Sequence, residues 1–169
     1  MNLVVTDTGP LLHLHQIGVA GLLSHLGSIH VTPTVLHELQ RHAPAFMSDG
    51  LPPWLNTAQP SSASLQLARQ WVGAQVLDAG EAEALAFAQE INADLFITDD
   101  TAARTLGESL GLQVRGSLGV ILFAAASGHL DQMTTLKVID DLEHHSTLWM
   151  SAKVKQAARL AVGRIFGKP

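Results

Sequence analysis

Residues 77–100 read LDAGEAEALAFAQEINADLFITDD. Most residues in 82–91 are good helix formers, which predicts a helix over that range. The apolar run at residues 95–98 has the length of a buried strand, and it runs into the two acids that close the quoted stretch. An amphipathic helix is predicted next, over residues 101–110. This order of helix, strand and helix indicates an α/β fold with acids at the end of a strand.

Strands of the same kind occur elsewhere in the chain. Residues 3–6 (LVVT) form an apolar run that suits burial on both faces of a parallel sheet, and Asp7 follows directly. Shorter strands are predicted at residues 29–31, around 54–55 and at 112–114, with helical segments between them. The fold class is therefore predicted to be α/β, with a short, mainly parallel sheet of four or five strands.

Helices are predicted to connect these strands. Pro10 suits the first position of the first helix, where no N–H donor is needed, and Thr32 suits the N-cap of the helix that follows the second strand. The remaining helices are predicted at about residues 19–26, 64–73, 118–126, 131–144 and 151–166. Because the last forty residues carry no strand signal, they are predicted to form a helical extension packed on the same domain.

The bulk composition excludes several classes of protein. The chain has 169 residues, of which 47% are hydrophobic and 15% charged, as in a globular domain with a sizeable core. It contains no apolar run of the ~18 residues that a membrane span needs, and no signal peptide is predicted. A net charge of −5 disfavours a protein that binds nucleic acid mainly by basic charge. The lack of cysteine fits a cytoplasmic protein without disulfides or thiolate metal sites.

Acidic side chains recur where an α/β sheet places its ligands. Asp7, Asp99 and Asp100 follow strands, and ligands bind beyond the carboxyl ends of parallel strands. Glu81 is predicted in the first turn of its helix, where the helix dipole favours an anion, and Glu38 lies on another helix. Two unit charges ~4 Å apart repel by about 4 kcal/mol at an effective dielectric of ~20. We therefore hypothesise that these carboxylates converge on a divalent cation, and oxygen ligands without cysteine favour Mg²⁺ or Mn²⁺.

The acids at element ends also have structural explanations. Asp7 suits a local cap of the first helix. Glu81 fits a capping box with Asp78, in which each residue satisfies a backbone N–H of the other. Either Asp99 or Asp100 suits the N-cap of the next helix, which leaves the other acid for a site. These explanations do not exclude metal binding.

Two helical glutamates have alternatives of another kind. Glu38 is spaced to pair with Arg41 or His42, one turn further along its own helix. Glu83 is predicted to point away from Glu81 and into solvent. The nine histidines show no zinc-site spacing, so they are interpreted as surface or half-buried residues.

Several short motifs together point to one family. They are VVTDTGPL at 4–11, VTPTVLHEL at 31–39, LDAGEAEA at 77–84, ITDD at 97–100 and GSLGV at 116–120. In this order and spacing they resemble the PIN-domain nucleases, the fold of the VapC toxin ribonucleases, and most closely the PIN-like proteins of the DUF3368 family. The resemblance implies a three-layer α/β/α fold, with a nuclease domain at residues 1–130 and the helical extension at 131–169.

The same resemblance implies an activity and roles for individual residues. It implies cleavage of RNA that depends on Mg²⁺ or Mn²⁺, a small antitoxin protein as a partner, and a homodimer. The catalytic acids of the family fall on Asp7, Glu38, Glu81, Asp99 and Asp100, where the last two compete for one position. All of these except Glu38 are implied metal ligands. The hydroxyl positions near the metal fall on Thr8 and Thr98.

Basic residues offer a further surface. Arg104, Lys153, Lys155 and Arg159 are candidates for contacts with RNA or a partner, and the alternative for the three on the last helix is a solvated face. The tryptophans at 54, 71 and 149 are candidates for stacking on bases, although packing is the commoner use.

Two other functions compete with the ribonuclease. The first is a PIN-like interaction module that no longer cuts, in which the acids are caps and surface charges. The second is a metal-dependent phosphatase, which usually needs an Asp-x-Asp pair after the first strand. Gly9 occupies the second position of that pair here.

Overall fold

The centre of the molecule is a five-stranded sheet. A computed structural model describes residues 2–167 of the chain. Its strands are β1 (Leu3–Thr6), β2 (Ser28–Val31), β3 (Leu55–Thr57), β4 (Leu95–Ile97) and β5 (Val114–Arg115). They lie in the order β3-β2-β1-β4-β5, and all neighbouring pairs are parallel. The predicted parallel sheet is confirmed, although the last strand begins two residues later than its apolar run suggested.

Helices connect the strands and close the chain. The α-helices of the described residues are α1 (Thr8–Gln16), α2 (Pro33–His42), α3 (Ser62–Gly73), α4 (Ala79–Glu90), α5 (Thr101–Ser109), α6 (Ser117–Ala126), α7 (Gln132–His145) and α8 (Ala152–Phe166). The helix predicted at 19–26 is instead a 3-10 helix over Ala20–His25. Helix α1 begins two residues before Pro10. A proline is accepted in the first turn because those N–H groups have no partner within the helix.

The sheet is covered on both faces, as a three-layer α/β/α fold requires. Helix α4 packs against β1 and β4 and is itself covered by α3 and α5, while α6 packs with α1, α7 and α8. The central strands are buried except at Leu3, which begins β1, and Val5 and Phe96 have no exposed surface. The same hydrophobic core takes in Leu142 of α7 and Val162 of α8. The last two residues of the predicted extension lie outside the described residues.

The N-terminus of α2 is capped differently from the prediction. Thr32 occupies the N-cap position, but its side chain makes no capping hydrogen bond, and its buried hydroxyl has no partner among the described residues. Glu83 of α4 caps the helix instead. Its Oε1 accepts the backbone N–H of Thr34 at 3.0 Å, and its Oε2 accepts the Thr34 hydroxyl at 2.6 Å. Thr32 is thus the N-cap residue, as predicted, but its side chain contributes no capping bond. The prediction that Glu83 points into solvent is wrong.

This arrangement predicts opposite outcomes for two substitutions. Glu83→Ala is expected to lower the free energy of unfolding by about 1–2 kcal/mol, because the start of α2 loses two hydrogen bonds. Thr32→Val is expected to cost nothing, or to stabilise by up to about 1 kcal/mol, because it removes a buried hydroxyl that has no partner. Urea unfolding of both variants measures the difference. An equal loss in the two variants would show that Thr32 does cap the helix.

Candidate active site

Two carboxylates follow neighbouring strands at one edge of the sheet. Thr6 of β1 is in register with Ile97 of β4, and the backbone N–H of Asp7 donates to the Ile97 carbonyl at 3.1 Å. Asp7 therefore lies beside Ile97, the last residue of β4. Asp99 is two residues further along the chain from Ile97. The parallel pairing of β1 and β4 brings both acids to the edge where α/β folds bind their ligands.

Asp7 is a buried acid with an unused oxygen. It occupies the N-cap position of α1 but makes no side-chain capping bond, and only 2% of its surface is exposed. Burial raises the pKa of Asp7 well above its usual value, and the charges of Asp99 and Glu81 raise it further. The Thr98 hydroxyl and the Gly9 N–H oppose this shift. Among the described residues, Asp7 Oδ1 has no hydrogen-bond partner. A positive charge would stabilise the ionised form.

Glu38 links two helix N-termini. Its Oε1 accepts the backbone N–H of Gly80 at 3.0 Å, and its Oε2 accepts the hydroxyl of Thr8. Both oxygens are thus held by α1 and α4, rather than by Arg41 or His42 on the same helix. A Cβ at position 80 would lie only 2.7 Å from Cδ of Glu38. The glycine therefore allows this carboxylate to reach the start of α4.

The close approach predicts that Gly80→Ala displaces Glu38 with little loss of stability. Alanine is the better helix former by about 1 kcal/mol, which offsets the lost hydrogen bond. We expect a thermal midpoint within a few degrees of wild type. Any catalytic activity of this site should fall roughly 10- to 100-fold, because the carboxylate that orders the site has moved.

A matched control for this substitution is Gly163→Ala in α8, where an added Cβ meets nothing within 4 Å. It should raise the midpoint by a few degrees, because alanine is the better helix former, and leave the activity unchanged. Full activity in Gly80→Ala would show that the position of Glu38 is unimportant.

Glu81 stands in the first turn of α4, as predicted. It forms the capping box with Asp78, whose backbone N–H donates to Glu81 Oε2 at 3.0 Å. Partial burial raises the pKa of Glu81, and this hydrogen bond opposes the shift. The charge of Asp100 raises the pKa further, followed by smaller contributions from Asp78 and Glu38. The residue serves as a cap while it lies among the other acids.

The structure separates the roles of the two adjacent aspartates. Asp100 caps α5, because its Oδ1 accepts the backbone N–H of Ala103 at 2.7 Å. Asp99 turns to the start of α6, where its Oδ1 accepts the backbone N–H of Ser117 at 2.7 Å and its Oδ2 accepts the Ser117 hydroxyl at 2.5 Å. His13 Nδ1 lies 2.7 Å from the same Oδ2. Asp99 is thus the acid of this pair that joins α1 and α6.

His13 and Ser117 are site residues that the sequence analysis did not identify. His13 is one helical turn after Gly9 on α1, and a Cβ on Gly9 would lie 3.7 Å from Asp7 Oδ1, Asp99 Cβ and His13 Cε1. The signal was the i, i+4 spacing of Gly9 and His13 on the helix that follows Asp7. Ser117 lies in the GSLGV motif at 116–120, which pointed to the family but assigned this serine no role.

Comparison with known families agrees with this geometry. The family model of DUF3368, a PIN domain, matches residues 3–164. The chain belongs to this PIN-domain family. The match extends from β1 through most of α8, so it includes the helical extension. No curated protein matches the chain significantly.

The acids of this PIN domain fit a divalent cation only in part. Asp7 offers an unused, buried carboxylate oxygen, and the repulsion from Asp99 and Glu81 favours a bound positive charge. Within residues 2–167, however, no three His, Asp or Glu side chains already form a metal-binding group. Glu38, Asp99 and Asp100 instead accept hydrogen bonds from nearby backbone and hydroxyl groups. The convergence of these carboxylates on one cation therefore stays a prediction.

The predicted hydroxyls both lie at this edge of the PIN domain. Thr8 donates to Glu38, and Thr98 is fully buried, with its Oγ1 accepting the Asp100 N–H at 3.1 Å. Arg104 lies beside them, because its Nη2 donates to the Thr98 carbonyl at 3.2 Å.

The three basic residues predicted on α8 differ from one another. Lys155 Nζ lies 2.5 Å from Glu143 Oε1, so this lysine already forms an ion pair with α7. Lys153 and Arg159 are exposed. The structure therefore makes Lys155 a poor candidate for RNA contact and leaves the other two available.

Proposed function

We propose that this PIN domain is a ribonuclease that uses Mg²⁺ or Mn²⁺ to cleave RNA endonucleolytically. The observation that carries the proposal is the buried Asp7 carboxylate, with an unused oxygen beside two further acids. Replacing this buried acid with an uncharged residue would stabilise the protein, so the presence of the acid indicates a functional role. Membership of the PIN family supports a nuclease in general, and the choice of RNA and of the metal is ours.

Each residue of the edge has a role in this proposal. A bound divalent cation supplies charge to neutralise the phosphate and to activate water for attack. Asp7, Asp99 and Glu81 would hold it, while Glu38 keeps the starts of α1 and α4 together. A cleft of about 320 Å³ opens beside Glu38 and Glu81, and Arg41 also lines it. That guanidinium is suited to binding a substrate phosphate.

The biological setting is also part of the proposal. We propose that the protein is the toxin of a toxin–antitoxin pair, that a small antitoxin protein blocks its site, that it forms a homodimer, and that it acts in the cytoplasm. Among residues 2–167, no helix has both the length and the apolar character needed to cross a membrane. Copurification with the product of a small adjacent reading frame tests the partner, and sedimentation velocity tests the dimer.

One observation favours the competing function of a PIN-like interaction module that does not cut. Glu38, Asp99 and Asp100 all accept hydrogen bonds that stabilise helix starts. If the acids served only as caps, the domain would bind a partner through its helices and would have no need of a cation.

Metal binding separates the two functions without a choice of substrate. Calorimetry with Mn²⁺ and Mg²⁺ on the wild-type protein is expected to show binding that Asp7→Asn loses. A screen of single-stranded RNAs with each metal then tests cleavage. If the wild type binds neither metal and cleaves no RNA, the interaction module becomes the better explanation.

A further inference from the structure

A cleft larger than the two clefts that Glu81 lines begins at Asp99. Its volume is about 630 Å³, against about 320 Å³ and 260 Å³ for the two clefts that Glu81 lines. From Asp99 it follows the start of α6 and reaches Trp149, in the segment between α7 and α8. It is thus continuous with the candidate active site and extends away from it.

Arg104 and Arg115 both line this cleft, but the Arg115 guanidinium lies over Phe123, a residue that does not line it. Arg104 donates to the Thr98 carbonyl at 3.2 Å, and Arg115 lies 5.1 Å from the centroid of the Phe123 ring. In the described residues neither arginine forms a salt bridge, so both charges are held by uncharged groups. Asp99 is the one acid among the described residues that line the cleft. Because Asp99 is already held by Ser117 and His13, the Arg104 guanidinium is the charge that the cleft offers to an anionic occupant.

Trp149 presents an indole ring at the far end of the cleft. Its surface is 83% exposed, although the next residue, Met150, is only 8% exposed. The backbone around it is anchored: Thr147 N donates to Gln16 Oε1 at 2.8 Å, and Leu148 N donates to Ser146 Oγ at 3.2 Å. The ring is thus held outward on a fixed segment with little packing of its own. Such an aromatic surface can stack on a planar group without further ordering of the chain.

We propose that this cleft binds a single-stranded RNA as it leaves the active site, with a base stacked on Trp149 and a backbone phosphate on Arg104. An exposed aromatic ring together with a cation in one groove matches the alternation of bases and phosphates along a strand. The inference rests on the proposed ribonuclease function, and it adds the contacts that select single-stranded RNA.

The test compares two RNAs of the same charge. One is a fluorescein-labelled single strand of twelve nucleotides with mixed sequence, and the other is its abasic analogue. Binding is followed by fluorescence anisotropy in the Asp7→Asn background, which prevents cleavage. Trp149→Ala is expected to weaken binding of the base-bearing RNA by about tenfold and to leave the abasic RNA unaffected. Trp149→Phe should retain most of the affinity, because it keeps an aromatic face.

Two further variants separate stacking from charge. Arg104→Gln should weaken the binding of both RNAs alike and reduce the slope of log affinity against log salt by about one. Met133→Ala is the matched control, because Met133 is 80% exposed and is not among the residues that line the cleft. It should leave the binding of both RNAs unchanged.

The outcomes distinguish this inference from the proposed function. If the wild type cleaves RNA and Trp149→Ala binds RNA with unchanged affinity, the inference is overturned and the proposed function is left intact. Loss of self-association in Trp149→Ala, at unchanged RNA affinity, would also overturn it and make the cleft a protein interface. If no variant binds RNA and the wild type cleaves none, the proposed function fails and the inference fails with it.

Discussion

Asp7→Asn is expected to reduce metal-dependent RNA cleavage by more than about 100-fold while the protein remains folded. Loss of an outer partner of a metal ligand typically costs 10- to 100-fold, and Asp7 is proposed to be a ligand itself. The amide has the shape of the carboxyl, so the packing around the end of β1 should not change. The measurement is the cleavage rate at saturating Mn²⁺, together with the binding of Mn²⁺ by calorimetry.

The same substitution is expected to stabilise the metal-free protein at alkaline pH. Because burial raises the pKa of Asp7 in the folded state, the folded protein disfavours the ionised form. The associated stability is fully present below the pKa of the unfolded chain and is lost as the pH rises through the raised pKa of the folded state. Asp7→Asn removes this loss. Its thermal midpoint should exceed that of wild type at pH 8, and the difference should shrink as the pH falls.

A matched control for Asp7 lies at the opposite end of the sheet. Asp94 precedes β4, and its Oδ2 accepts the backbone N–H of Leu3 at 2.8 Å. Asp94→Asn makes the same chemical change, keeps an oxygen for that bond, and should leave cleavage unchanged. If Asp7→Asn cleaved RNA at the wild-type rate, Asp7 would not belong to the active site. If it also melted earlier at pH 8, the account of its buried charge would be wrong.

Asp99→Ala is expected to cause losses of both stability and activity. It removes the acceptor for the Ser117 N–H, the Ser117 hydroxyl and His13, and Ser117 is fully buried. Unpaired buried polar groups cost about 1–3 kcal/mol each, so the free energy of unfolding should fall by roughly 2–4 kcal/mol. Cleavage should fall by more than about 100-fold, since the substitution also removes a proposed metal ligand.

Asp100→Asn is the companion variant, and it tests which of the two adjacent aspartates is the metal ligand. The amide oxygen can still accept the Ala103 N–H, so the cap on α5 is retained and only the favourable charge at the helix start is lost. The charge at an exposed helix start typically contributes about 0.3–1 kcal/mol, which is the expected loss here. Cleavage should stay close to the wild-type rate. If Asp100→Asn lost activity as severely as Asp99→Ala, Asp100 would be the ligand and Asp99 a structural residue.

Local patterns in the sequence determined much of this molecule. The apolar runs that end at Asp7 and at Asp99 became adjacent parallel strands, because such runs are buried on both faces of a sheet. The capping box of Asp78 and Glu81 also formed as the pattern predicted, because its two hydrogen bonds join residues three apart. Signals of this kind depend on neighbours in the chain, and they can be interpreted without the fold.

Only the tertiary structure decided which groups meet at the edge of the sheet. His13 meets Asp99 across 86 residues, and Gly80 meets Glu38 across 42. Glu83 meets Thr34 across 49 residues and supplies the capping bonds expected of Thr32. A carboxylate accepts hydrogen bonds from whichever donors the packing brings near it, and no local sequence pattern identifies those donors. The sequence by itself therefore determined the parallel sheet and the positions of the acids along the chain. The packing of α1, α2, α4 and α6 around that sheet decided which of them caps a helix, which joins two helices, and which keeps an oxygen that has no hydrogen-bond partner among the described residues.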